Sequence, residues 1–291
     1  MRRARALGIV QDRTVRNRTG LARVAGLAVS LALAACAGGS PSASTAAPAL
    51  SQPGLGAFPS DLVEGLQTDV DVFYTDVLDC GPMTCRPQGD VLAPTDDADL
   101  PTVVLLNGGG KLFTERRYQA RLAVELANRG AVVFLIAYRG LSTGSYSDQD
   151  SWSDARCAIR YARAHTEEYG GDPSRVVVVG HSQGGLMGLD IATHAEEEAE
   201  ACLADGSAIP DGVIALGSPR PSLRGVADSA PPLWLFSGSE DRPADAYAEM
   251  LRDRGFDAES QVLPGVTHDG ITDPVAAPEI VDLIVEALES I

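Results

Sequence analysis

The 291-residue chain is 45% apolar and carries 23 basic against 40 acidic residues, a formal charge of −17. With its first 35 residues set aside as a leader, 16 basic face 39 acidic residues and the charge becomes −23. Nucleic acid and anionic lipid surfaces are poor partners for such a chain, and acidic substrates are repelled unless a local basic patch intervenes.

The chain begins with Arg2, Arg3, Arg5, Arg13, Arg16, Arg18 and Arg23, overlapping an apolar stretch from Leu21 to Ala35 that is too short and Ala-rich for a comfortable membrane span. It closes with Leu33-Ala34-Ala35-Cys36, which resembles the lipobox of bacterial lipoprotein signal peptides. That resemblance implies a signal peptide over 1–35 and lipidation of Cys36. It also implies an extracytoplasmic protein held at the cell membrane by its lipid. An ordinary cleaved signal with a nearby cysteine is the alternative. Ala37 to Ala57 contains no charge and is rich in Ala, Gly, Ser, Pro and Thr, so residues 36–57 read as a flexible tether. As a coil it spans roughly 25 Å. The remainder, 58–291, suffices for one α/β domain and is too short for two of that kind.

Val70 to Tyr74 and Arg86 to Leu92 read as antiparallel edge strands flanking a cysteine loop. Thr102 to Leu106 is a buried strand that runs into Asn107-Gly108-Gly109-Gly110. A helix is expected from Tyr118 to Arg129 with Gly130 as its C-cap, then a buried strand from Ala131 to Tyr138. Ser151-x-x-Asp154 has the form of a capping box opening a helix through Ala164. Four valines, Val176 to Val179, show no polar alternation and read as a strand buried on both faces. Further strands are expected at Gly212–Leu216, Leu233–Ser237 and Ser260–Leu263, with helices after the valine strand, over about 244–254 and at the C-terminus. Strands alternating with helices give a mostly parallel sheet covered on both faces.

Beyond Cys36 four cysteines remain, an even count that suggests disulfides in an exported protein. Cys80 and Cys85 can close a tight loop, leaving Cys157 for Cys202; four free thiols are the alternative. The second pair requires a helix break near His194, because an unbroken helix would carry Cys202 away. No metal is expected, since neither pair has histidine at ligand spacing, and no cofactor is expected.

Gly180-His181-Ser182-Gln183-Gly184 follows the valine strand and precedes a helical run. This G-x-S-x-G pattern makes a sharp strand-to-helix turn that lifts Ser182 above the sheet edge, where a helix N-terminus favours developing negative charge. Serine needs a base, and the base needs an orienting acid. Of four histidines, His181 sits in the turn, and His165 and His194 lie within or at the end of helical segments. His268 follows the last strand, at the edge where catalytic groups collect, and is the expected base. Asp241 is the expected acid, with Glu240 and Asp269 as alternatives. The Gln183 N–H and the glycines after Leu106 are candidate oxyanion donors.

From about Arg86 onward the chain resembles an α/β-hydrolase of the carboxylesterase type, in the hormone-sensitive-lipase-like and feruloyl-esterase-like branch. Asn107-Gly108-Gly109-Gly110 stands where that branch has H-G-G-G, Tyr138-Arg139 at the usual Y-R, and Gly171-Asp172-Pro173-Ser174-Arg175 before the serine turn. The resemblance implies an oxyanion hole from Gly109, Gly110 and Gln183. Asn107 in place of histidine and Lys111 in place of an aromatic depart from the pattern. Only about sixteen residues separate Leu216 from Leu233, where large caps are often inserted, so an open site for water-soluble or surface-presented esters of short-to-medium acyl length is expected. A peptidase of the prolyl-oligopeptidase type and a non-catalytic binding lipoprotein are the alternatives.

Overall fold

The structure, a computed structural model, describes residues 58, 63–80, 84–109, 116–140 and 148–291. The leader 1–35, Cys36, the tether through Ala57, Gly110 and Lys111 lie outside the described residues.

Ten strands are present among the described residues: β1 (Leu66–Phe73), β2 (Leu78–Asp79), β3 (Thr84–Cys85), β4 (Gln88–Pro94), β5 (Leu100–Leu106), β6 (Val132–Ile136), β7 (Gly171–His181), β8 (Gly212–Leu216), β9 (Leu233–Gly238) and β10 (Ala258–Leu263). Five helices accompany them: α1 (Ala120–Asn128), α2 (Asp148–His165), α3 (Gln183–Thr193), α4 (Ala244–Arg252) and α5 (Glu279–Glu289). Eight strands form one sheet in the order β1-β4-β6-β5-β7-β8-β9-β10. The pairs from β6 to β10 are parallel, and β4 is antiparallel to both β1 and β6. The expected edge pair is thus present, but only β1 is an edge; β4 is an inner strand.

The valines explain the two-sided burial. Val176 and Val178 pack into the apolar layer on the α2, α3 and α4 side, while Val177 and Val179 face the layer that includes α1 and α5. All four are fully buried, each contributing about 1.5–3 kcal/mol of hydrophobic stabilisation. Chain order reverses beside this strand: β5 lies between β6 and β7, so the connections on its two sides lead away in opposite directions. The carboxyl ends of β5 and β7 therefore flank the switch-point crevice, the place where open α/β sheets bind ligands.

The expected capping box is overturned. α2 begins at Asp148, which puts Ser151 and Asp154 inside the helix, and both serve Arg139 instead. Asp154 accepts bonds of 2.8 Å from the Arg139 backbone N–H and 2.8 Å from its guanidinium, and Ser151 Oγ donates to the Arg139 carbonyl at 2.5 Å. The Arg139 side chain is buried, so these bonds and Asp150 at 3.0 Å compensate its desolvation. The exit of β6 is clamped to α2. A second clamp holds Arg116 and Arg117, which both bond the buried Asp90 of β4 at 2.9 Å. Burial raises the Asp90 carboxyl, but the hydrogen bonds from these two arginines outweigh it and leave it below the usual range.

Both disulfides are present. Cys80–Cys85 closes the β2–β3 hairpin, and Cys157–Cys202 joins the middle of α2 to the segment after α3. The break the second bridge needs is there, because α3 stops at Thr193. The returning chain is irregular rather than helical and meets the residues after β1 at a single bridge between Thr75 and Cys202, through Asp76 N–H to the Ala201 carbonyl and Leu203 N–H to the Tyr74 carbonyl.

Candidate active site

Ser182 sits between β7 and α3 with φ 51° and ψ −116°, a left-handed backbone position that is costly for any residue with a side chain. The turn is tight enough that a Cβ on Gly180 would strike the backbone of Gly184, and one on Gly184 would strike the Leu106 carbonyl. These two glycines are therefore the condition for the turn, and β5 is brought hard against it. Ser182 N–H donates to the Leu216 carbonyl at 2.8 Å, which ties the turn to β8 on its other side.

Asp241 and His268 come from neighbouring strand ends. Asp241 follows β9, His268 follows β10, and His268 Nδ1 lies 2.8 Å from Asp241 Oδ2. Asp241 is almost wholly buried at 6% exposure, whereas the His268 ring is one-third exposed, open on one side. Glu240 and Asp269 are exposed and make no such bond among the described residues. Gly217, at φ 53°, makes room for the pair, since a Cβ there would press on both Asp241 and the His268 ring.

His181 has a role that sequence reasoning did not assign. Its Nε2–H donates to the His268 carbonyl at 2.9 Å, and its ring lies 4.7 Å from the His268 ring. Burial, then the neighbouring His268 charge, push His181 down to about 4, so it is neutral near pH 7. It holds the His268 loop against the serine turn without adding charge. The adjacency of a histidine to the serine was legible; its partner, 87 residues away, was not.

The remaining histidines are engaged elsewhere. His165 pairs with Glu168, and His194 caps α3 between the Asp190 and Arg224 carbonyls. Gly108 and Gly109 follow β5 directly. A Cβ on Gly108 would lie 3.4 Å from the Ser182 Cβ, and the Gln183 side chain packs on Gly109. Tyr138 O–H donates to the Asn107 carbonyl at 2.6 Å and fixes the base of this strip, while the buried Asn107 amide has no partner among the described residues. Among the described residues no hydrogen bond joins Ser182 to His268. One trio, His181, His268 and Asp269, has ligating atoms within 4.8 Å of one another.

Residues 90–210 match the family model BD-FAE. A probable isoprenylcysteine alpha-carbonyl methylesterase of Arabidopsis thaliana is 27% identical over 222 residues, covering 58% of this chain and 45% of the relative. The pyrethroid hydrolase Ces2e of Rattus norvegicus is 26% identical over 170 residues, covering 54% of this chain and 28% of the relative. The chain thus spans less than half the length of these curated relatives. Apo esterase 2 of Thermogutta terrifontis superposes with a TM-score of 0.62 at 21% identity, over 78% of this chain and 95% of that one. A truncated carbohydrate esterase from gut microbiota gives 0.58 at 16% identity, over 77% and 96%. The chain has the α/β-hydrolase fold, and no helix or strand of a cap interrupts the stretch from Gly217 to Pro232.

Proposed function

We propose that this protein is a carboxylic ester hydrolase that works through an acyl-enzyme on Ser182. The observation that carries the reading is the convergence, at the switch-point crevice, of a strained serine turn with a histidine already bonded to a buried aspartate. The esterase names among the relatives and structural neighbours support the same class.

His268 takes the Ser182 proton through Nε2 as Oγ attacks the ester carbonyl. Asp241 accepts the Nδ1–H, fixes the tautomer and stabilises the imidazolium that forms. The tetrahedral oxyanion is met by the backbone N–H of Gln183, at the start of α3, and by those of Gly109 and Gly110. The alcohol leaves with the proton from His268, and water, activated by the same base, releases the acid. With no cap helix or strand between Gly217 and Pro232, the crevice suits short-to-medium acyl esters, whether small molecules or surface-presented ones. A lipid on Cys36 and the tether would hold the domain at the outer side of the membrane; nucleic acid has no part in this reading.

Purified protein assayed on p-nitrophenyl esters of graded chain length, beside an aminoacyl anilide, tests the class. Ester turnover is expected, and Ser182→Ala should reduce it by several orders of magnitude. Anilide cleavage without ester cleavage would overturn the reading.

A further inference from the structure

Arg242, which follows the acid and precedes α4, reaches back over the catalytic dyad. Its Nη1 donates to the Gly217 carbonyl at 3.0 Å and lies 3.0 Å from Nδ1 and 3.3 Å from Nε2 of His268. A guanidinium carries donors and no acceptor. At nearly equal distances from both ring nitrogens, the guanidinium lies over the face of the imidazole rather than on either in-plane nitrogen position, and the Nδ1–H stays with Asp241. A cation at this distance opposes the imidazolium that attack creates.

Three other arginines of the domain are already committed to carboxylates. Arg139 is buried against Asp154 and Asp150, and Arg116 and Arg117 are held by Asp90. Arg242 differs: its side chain is 39% exposed, and its nearest carboxylate oxygen, Asp241 Oδ1, is 3.6 Å away on a group already bonded to His268. The surrounding chain is strongly acidic, so its field repels anions and a site that accepts one needs a local cation.

We propose that Arg242 is a specificity-determining residue that couples ester hydrolysis to a carboxylate on the substrate. In the free protein its charge lies against the face of the base and opposes the imidazolium; a substrate carboxylate is bound by the fork, offsets that charge and lets His268 take the Ser182 proton. The proposal rests on the esterase reading above and names the substrate class: esters bearing a second, anionic acid group.

Methyl butyrate and monomethyl succinate test it, because their four-carbon acyl chains differ in one terminal carboxylate. Methanol release should show wild-type kcat/KM about tenfold or more higher for monomethyl succinate. Arg242→Gln should raise kcat on methyl butyrate and raise KM on monomethyl succinate, bringing the ratio to about one or below. Arg242→Lys, which keeps the charge, should preserve the sign of the preference. A wild-type preference for methyl butyrate, or a ratio unchanged in Arg242→Gln, would overturn the proposal even if that variant were less stable. Labelling of Ser182 by a fluorophosphonate in wild type separates the two failures. Labelling with no succinate preference defeats only the role of Arg242; no labelling and no turnover of either ester defeats the esterase reading and this proposal with it.

Discussion

At the scale of single residues, the serine turn is set by what is missing as much as by what is there. Gly180 and Gly184 let two backbones touch, and Ser182 is held at positive φ by bonds to β8 and α3. His181 adds a pH dependence. Its ordinary value of 6.5 falls to about 4 in the folded protein, chiefly through burial. The unfolded chain therefore binds this proton first on acidification. The contribution is complete above about pH 6.5 and declines as pH falls toward about 4, by up to about 3 kcal/mol in all. Urea unfolding of wild type and His181→Asn should diverge in slope across that window; parallel curves would show that His181 is not buried neutral. The serine turn was legible because its pattern is local. The Arg242 contact was not, although it follows Asp241 directly, since a side chain folding back over the sheet edge leaves no periodicity to read.

At the scale of elements, strands were legible wherever both faces are buried, because β-branched runs have one stable outcome there. Helix starts were less so. Ser151 and Asp154 have capping-box spacing, yet the local preference loses to the buried Arg139, whose desolvation demands both groups. The fold-back after α3 is legible as a requirement of the Cys157–Cys202 bridge, while its single bridge to residues after β1 depends on non-local partners. That bridge closes a loop of 45 residues. Chain-entropy arguments value such a closure at about 4 kcal/mol, with measured bridges usually at about 2–4 kcal/mol. A Cys157→Ser, Cys202→Ser double variant should lose stability in that range by denaturant midpoint, with the serine site still reactive in the native state. A loss below 0.5 kcal/mol, about the scatter of surface substitutions, would mean that the strand-like pairing alone holds the segment.

At the scale of the whole molecule, the sheet order brings three separate strand ends to one edge: Ser182 after β7, Asp241 after β9 and His268 after β10. The large net negative charge disfavours contact with anionic lipid and nucleic acid. Among the described residues no helix is long and apolar enough to cross a membrane. The central claim is that this edge activates one serine. Treating native protein with a fluorophosphonate and mapping the modified peptide by mass spectrometry tests it most directly. The account predicts a single adduct, on Ser182, that is lost in Ser182→Ala and strongly slowed in His268→Ala. Modification at another residue, or labelling that persists in Ser182→Ala, would contradict it.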